Sequence, residues 1–428
     1  MEGLGRLATD LGERSLYDAV AQCSRCGYCE QACPTYKATG EEAKSPRGRN
    51  QIVRLMIEGK LDDKEAAMEA LSTCLLCSGC TTACYAKVPV ADIVLEGRRM
   101  LTEKPHWLVS AVSRLLVSNR SLVSLSLKVG AVLKRIGLSS LSRPFLRLVG
   151  LSVLASMDEH VDSVPFWNLD DLQSRRASPG SPAYSYFAPC GPRYLYPNVG
   201  TATLNACDEL LGKGKYLNNP CCGLLANNYG NIDDARELAK QNIQLSESNG
   251  NEEPIVGDCS SCVAFLKSYP QLFLNDPAWK QRAECFASRV SDAIEIYGAH
   301  AQKLPEYAAE GVRATYHDSC RAVNGQGLRK EPRSAATRVA GGSFCEMEDS
   351  DQCCGGAGAF GFVHEGLSGD LLKRKVNAVA GVQAQTVLTS STSCLIQLAR
   401  GLRKYYPEAT VLHLSEFVAA ALSKPHGS

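Results

Sequence analysis

The sequence predicts an α+β multidomain protein, with a helical N-terminal domain followed by two α/β repeats built on mostly parallel sheets. Three observations predict it. The first hundred residues are rich in helix formers and carry two tight cysteine clusters. The C-terminal half alternates short β-prone runs with helical stretches, as βαβ units do. That half also repeats itself, once from SYFAPC and again from ATYHDSC, and such self-similarity marks one structural unit used twice.

At 428 residues the chain exceeds what a single hydrophobic core serves, so several domains are expected. The composition, 45% hydrophobic and 21% charged, is that of an ordinary folded protein and excludes wholesale disorder. A formal net charge of +1 provides no global field for nucleic acid, so no nucleic-acid partner is expected. The opening segment carries Glu2, Arg6, Asp10, Glu13 and Arg14 and has no apolar run of signal-peptide length. The expected location is the cytoplasm, free or peripheral on the inner face of the cell membrane. In such a reducing compartment, 20 clustered cysteines read as metal ligands or redox groups before they read as disulfides.

Residues 1–104 form the predicted ferredoxin-like helical domain. Ser15 followed by Asp18 caps the helix leading to Cys23, and Asp62 to Cys74 is rich in helix formers. The motifs are Cys23-x2-Cys26-x2-Cys29-x3-Cys33-Pro34 and Cys74-x2-Cys77-x2-Cys80-x3-Cys84. This is bacterial ferredoxin spacing, in which three cysteines of one loop serve one cube and the fourth serves the other. Two [4Fe-4S] clusters are therefore expected, one on Cys23, Cys26, Cys29 and Cys84, the other on Cys74, Cys77, Cys80 and Cys33. Zinc sites favour paired C-x2-C units set further apart. Four-thiolate cubes leave no open iron and would carry single electrons. Gly27 and Gly79 permit close backbone approach to sulfur. Arg47 and Arg49 read either as donors that raise a cluster's potential or as plain surface charge. The second motif continues into Tyr85 where the first has Pro34, which alters the turn and removes no ligand.

Residues 105–177 read as a basic helical linker. From Pro105 to Met157 there are no acids, and Arg114, Arg120, Lys128, Lys134, Arg135, Arg143 and Arg147 punctuate a Leu/Val/Ser background. No stretch reaches the roughly 18 uncharged apolar residues that a membrane span needs. Two readings follow: a docking face for a partner subunit or an anionic membrane, or an amphipathic linker packed on its own protein, which is preferred. SRRASPGSPA, at 174–183, marks the boundary beyond it.

The repeats are placed at 178–300 and 301–428. In the first, SYFAPC ends in Cys190, NNPCCG holds Cys221 and Cys222, and PIVGDCSSC ends in Cys259 and Cys262. In the second, ATYHDSC ends in Cys320, QCCGG holds Cys353 and Cys354, and TVLTSSTSC ends in Cys394. The cysteines thus fall at the carboxyl ends of predicted strands, where open α/β sheets gather ligands. Gly356-Ala357-Gly358-Ala359-Phe360-Gly361 also spells a dinucleotide fingerprint, but it follows a cysteine doublet and not a first strand, so close backbone approach is the better reading. Cys207, Cys285 and Cys345 fall outside every motif and read as buried, inert thiols.

These motifs resemble the cysteine-rich CCG proteins, which include heterodisulfide reductase subunits and the iron-sulfur subunits of glycolate, lactate and glycerol-3-phosphate dehydrogenases. Two ferredoxin motifs before two Cys-Cys-Gly repeats, with TYKATGEEAKSPRGR between the motifs, are most similar in layout to the glycolate oxidase branch. The resemblance implies an iron-sulfur electron-transfer subunit of a 2-hydroxyacid dehydrogenase complex. It would pass electrons from a separate FAD-dependent dehydrogenase subunit to a quinone or other electron carrier, with a peripheral membrane contact left open. The alternative is a heterodisulfide reductase-like catalytic subunit. The five cysteines of the first repeat, Cys190, Cys221, Cys222, Cys259 and Cys262, are similar to sites that hold a noncubane [4Fe-4S] cluster. The second repeat keeps Cys320, Cys353, Cys354 and Cys394 but has Ser391 in place of the first cysteine of the last pair, and Arg321 where the family often has histidine. Its metal, iron-sulfur or zinc, stays open. His317 reads as a ligand, a proton donor, or a strand-end histidine satisfied by nearby backbone.

Overall fold

The computed structural model describes residues 6–9, 12–101, 120–148, 152–161, 164–174, 176, 179–248, 252–306 and 312–423. An antiparallel hairpin of β1 (Arg6–Thr9) and β2 (Gly12–Ser15) opens the chain. Ser15 then caps the helix Leu16–Ala21, its hydroxyl accepting the Asp18 N–H. The helices Pro46–Ile57, Lys64–Ser72 and Val90–Leu101 follow. The first two are capped where the sequence changes character: Ser45 accepts the Gly48 N–H ahead of Pro46, and Asp63 accepts the Ala66 N–H. Their apolar faces close one core on Leu16, Val20, Val53, Leu71, Ile93 and Val94.

In the basic segment, helices span Arg120–Arg135, Leu138–Leu148 and Ser152–His160. Arg114 lies outside the described residues. The cations here meet acids of the same chain: Lys128 pairs with Asp171, Lys134 and Arg143 with Asp158, and Arg147 with Glu159. That pairing accords with a linker packed on its own protein. The opposite side of Arg120–Arg135 exposes Leu122, Leu125, Val129, Val132 and Ile136. No helix among the described residues is long and apolar enough to cross a membrane.

The first repeat is a parallel sheet in the order β4-β3-β5-β6, from β3 (Ser185–Phe187), β4 (Lys215–Leu217), β5 (Ile255–Gly257) and β6 (Val290–Asp292). The second has β7 (Ala314–Tyr316), β8 (Thr386–Thr389) and β9 (Thr410–His413) in that order, also parallel. An isolated parallel bridge from Ala314 to Phe344 stands beside β7 where the first repeat has β4. The two sheets therefore share one topology. Registers agree as well: Tyr186 faces Val256 across β3 and β5, and Tyr316 faces Leu388 across β7 and β8. Strands β3, β5, β7 and β8 are buried on both faces, as strands of parallel sheets covered by helices are.

The repeats are fused through a common core in which Tyr186, Leu204, Ile294 and Tyr297 of the first meet Tyr316, Val339, Leu388, Leu414 and Val418 of the second. Its buried hydroxyls find partners: Tyr186 donates to Asp258 (2.7 Å), Thr203 to Asp258 (2.8 Å), Tyr297 to Ser415 (2.9 Å) and Tyr316 to Ser390 (3.1 Å). A phenol inside such a core needs a partner for its hydroxyl, and each of these three tyrosines has one.

Candidate metal centres

The two N-terminal loops share one backbone pattern. In the first, Arg25 and Gly27 flank Cys26 at φ 61° and 81°; in the second, Leu76 and Ser78 flank Cys77 at 52° and 59°. Left-handed residues on either side of a cysteine turn successive N–H groups to one side, forming a nest for an anion. Three of the four are not glycine and carry some backbone strain. The amides are used: Tyr28 N–H reaches the Cys26 sulfur, Gly79 N–H reaches Cys77, and Leu76 N–H lies 3.5 Å from Cys74 Sγ.

The eight thiols gather in two crossed groups. Cys29 is crowded by Cys23, Cys84 and Cys26, and burial with these neighbours pushes its thiol up to about 11. Cys80 is crowded by Cys77, Cys74 and Cys33, and burial with these neighbours raises its thiol as well. A cavity lies among the second set, lined by Cys33, Cys74, Cys77, Cys80 and Arg49. Arg49 is 2% exposed, and its guanidinium donates to Thr35 and Thr73 (3.0 Å each), to the Ala70 carbonyl (2.9 Å) and toward Cys33 Sγ (3.8 Å). The surface-charge reading therefore fails for Arg49. Arg47, one third exposed, pairs with Glu30 (2.7 Å) and Glu42 (2.8 Å) and serves the loop's architecture.

In the first repeat, Cys190 follows β3, Cys221 and Cys222 follow β4, and Cys259 follows β5. All four lie at the carboxyl ends of β3 and its two neighbours, where the strand order reverses. Their sulfurs form a contiguous set in hydrogen-bonding reach, Cys190 to Cys221, Cys221 to Cys222, Cys222 to Cys262 and Cys262 to Cys259. The doublet is held by its own carbonyls: Asn242 donates to that of Cys221 (3.0 Å) and Tyr269 to that of Cys222 (2.7 Å). The glycine after each doublet has a positive φ, 90° at Gly223 and 85° at Gly355. Only glycine takes that turn without strain, which accounts for Cys-Cys-Gly in both repeats.

In the second repeat Cys320, Cys353, Cys354 and Cys394 form the corresponding set, each sulfur in reach of the next. Ser391 turns away from it. Its hydroxyl lies 3.7 Å from Cys259 Sγ and 2.8 Å from the Ser261 hydroxyl, so the residue missing from one repeat touches a thiol of the other. Donation from Cys262 pulls the Cys259 thiol down to about 5 against its burial, with help from the Thr392 N–H and Ser391. His317 lies beside Cys354 and Cys394, the three donor atoms all within 4.8 Å of one another. Among the described residues neither ring nitrogen of His317 has a hydrogen-bond partner, although the residue is 1% exposed. The nearby Ser350 carbonyl already takes the Asp318 N–H (3.1 Å) and the Lys375 ammonium (3.3 Å) and makes no well-formed bond to the ring. An unmade bond at a buried polar group costs about 1–3 kcal/mol. The Ser350 carbonyl is thus the one backbone group that acts on the ring among the described residues, and it does so without a hydrogen bond of normal geometry.

The N-terminal domain sits on the second repeat. Asn324 donates to the Cys77 carbonyl (3.0 Å) and accepts from Thr82 (2.9 Å). Cys77, Cys320 and Cys353 share one apolar cluster with Leu75 and Phe360. Sequence reasoning missed Asn324 and the crossing of Ser391, because neither belongs to a cysteine motif. The glycine-rich run 356–361 has no strand leading into it, and Gly356 abuts the Ser393 carbonyl beside Cys394, as close approach requires. Cys207 is buried and Cys345 half-buried, but Cys285 is exposed on the helix Pro277–Ser288. The expectation that all three are buried is corrected there: a free thiol on an amphipathic helix takes whichever face its position dictates.

The donor sets fit metals. Packed without a cation, buried thiols resist ionisation: burial and neighbouring sulfurs raise Cys77, Cys80 and Cys353 well above the ordinary thiol range. A bound cation would stabilise such sets as thiolates.

Comparison with known proteins agrees. Residues 19–88 match the 4Fe-4S dicluster domain, and residues 184–267 and 314–399 match the cysteine-rich domain named CCG. The chain belongs to the CCG iron-sulfur family. This CCG protein is 27% identical to the probable glycolate oxidase iron-sulfur subunit of Bacillus subtilis, covering 97% of each chain. It is 26% identical to the glycolate oxidase iron-sulfur subunit of Escherichia coli, covering 94% of each. Lactate utilization protein A of Exiguobacterium is 29% identical over 55% of this chain and 96% of its own.

Proposed function

We propose that this CCG protein is the electron-transfer subunit of a glycolate- or lactate-type dehydrogenase complex, working with a separate FAD-dependent subunit and delivering electrons to a quinone or other carrier. One observation carries the reading: four thiol groups stand in a row. Cys29 of the first group neighbours Cys80 of the second. Cys77 of the second neighbours Cys320 and Cys353 of the third. The third adjoins the first repeat's set through the segment Ser391–Cys394, whose Thr392 N–H meets Cys259. Cys23, Cys26, Cys29 and Cys84 would hold one [4Fe-4S] cluster and Cys33, Cys74, Cys77 and Cys80 the other. Cys190, Cys221, Cys222, Cys259 and Cys262 would hold a noncubane [4Fe-4S] cluster. Such clusters supply one-electron transfer. The chain's own part is to bury them, aim amide N–H groups and Arg49 at their sulfurs, and fix their order through Asn324 and the shared core.

Metal analysis of anaerobically purified protein tests this. About eight irons are expected on the N-terminal cysteines and about four at the first repeat, with matching sulfide. Zinc as the sole metal would contradict the reading.

A further inference from the structure

We propose that the second repeat holds an iron-sulfur centre in which His317 is a ligand, so that its donors number five, as in the first repeat. The inference rests on reading the second repeat as a metal site.

Overlaying the repeats by strand register and cysteine position pairs Cys190 with Cys320, the two doublets, and Cys262 with Cys394. Two positions then differ together. Cys259 of the first repeat matches Ser391, which has turned toward the other set. Phe187, at the end of β3, matches His317, one residue beyond β7. One sulfur donor has gone and one nitrogen donor has come, on adjacent parallel strands of the same sheet.

The geometry points the same way. The imidazole nitrogen of His317 lies with Cys354 Sγ and Cys394 Sγ inside a 4.8 Å circle. The residue is buried, neither nitrogen has a hydrogen bond of normal geometry among the described residues, and the Ser350 carbonyl that acts on the ring already accepts from Asp318 and Lys375. An apolar side chain fills the equivalent place in the first repeat, so packing alone does not ask for an imidazole. His317 with Cys320, Cys353, Cys354 and Cys394 offers one donor more than a tetrahedral zinc ion takes. Soft thiolates joined by a single imidazole suit an iron-sulfur centre, and a nitrogen ligand in place of sulfur raises its potential.

The test uses the full chain, purified anaerobically with histidine labelled by nitrogen-15. Electron spin-echo spectroscopy over a redox titration should show a histidine nitrogen coupling that changes with the isotope. His317→Phe, which copies the first repeat, should abolish that coupling and lose the iron of this centre, while the iron of the N-terminal cysteines stays. Cys394→Ala should remove the same signal. The labelled wild-type protein decides the question even if His317→Phe folds poorly. Absence of a histidine coupling, zinc in place of iron at this repeat, or unchanged iron and spectrum in His317→Phe would overturn the proposal. Retained N-terminal iron in any of these outcomes would leave the relay reading standing.

Discussion

Arg49 shows how one residue joins fold and function. It ties the helix Pro46–Ile57 to the Ala70 carbonyl, and it points a fixed charge at Cys33 (3.8 Å). A donor to sulfur favours the more negative reduced state of a cluster. Arg49→Met, with no donor, should lower the potential of the cluster assigned to Cys33, Cys74, Cys77 and Cys80. A charge-assisted bond of about 1.5 kcal/mol corresponds to about 60 mV for one electron. A redox titration followed by electron paramagnetic resonance reads it, and an unchanged potential would contradict the role. Asp292 belongs to the same scale. Its carboxylate, buried at the head of the helix Ala293–Ala299, accepts from Gln326 (2.9 Å) and from the Ile294 N–H (3.3 Å), yet burial pushes it up to about 7. The folded pKa lies above the unfolded one, so the stability linked to its proton is complete below about pH 4 and is lost as pH rises to about 7. Asp292→Asn should flatten that part of the profile: melting between pH 5 and 8 should change less in the variant than in wild type, and identical profiles would refute the assignment. Neither residue could be weighed from sequence, because burial separates Arg49 from Arg47 and no local pattern records it.

Among the elements, five strands were legible: β3, β5, β7, β8 and β9 all coincide with β-prone runs. The short strands β4 (KYL) and β6 (VSD) were not. Lys215 in the one and Ser291 and Asp292 in the other break the β-prone run, and only their neighbours in the sheet make them strands. The hairpin β1–β2 is mostly polar along GERS and was likewise silent. The crossed grouping of the N-terminal cysteines is what the ferredoxin spacing leads one to expect. A test at this scale replaces Cys33 or Cys84 with alanine. Cys33→Ala should damage the cluster of Cys74, Cys77 and Cys80, and Cys84→Ala that of Cys23, Cys26 and Cys29, as resolved by their separate paramagnetic signals. Loss confined to each cysteine's own motif would show the crossing to be wrong.

For the whole molecule, the repeat announced two like units, but their fusion through Tyr186, Tyr297, Tyr316 and Val418 could not be read from it, since periodicity is blind to which faces meet. The same holds for the seat of the N-terminal domain on Asn324, a contact spanning 247 residues of sequence. That arrangement sets the thiol groups in a row and gives the chain the form of a relay. Oxidising an alcohol carbon removes a hydride, a two-electron event, whereas four-thiolate cubes take one electron at a time; in the proposed complex a flavin on another subunit would convert between them. The most direct measurement gives the anaerobically reconstituted chain glycolate or lactate with a dye acceptor, first alone and then with an FAD-dependent dehydrogenase subunit. The account predicts no oxidation by the chain alone and dye reduction once the flavoprotein is added; hydroxy-acid oxidation by the isolated chain would contradict it.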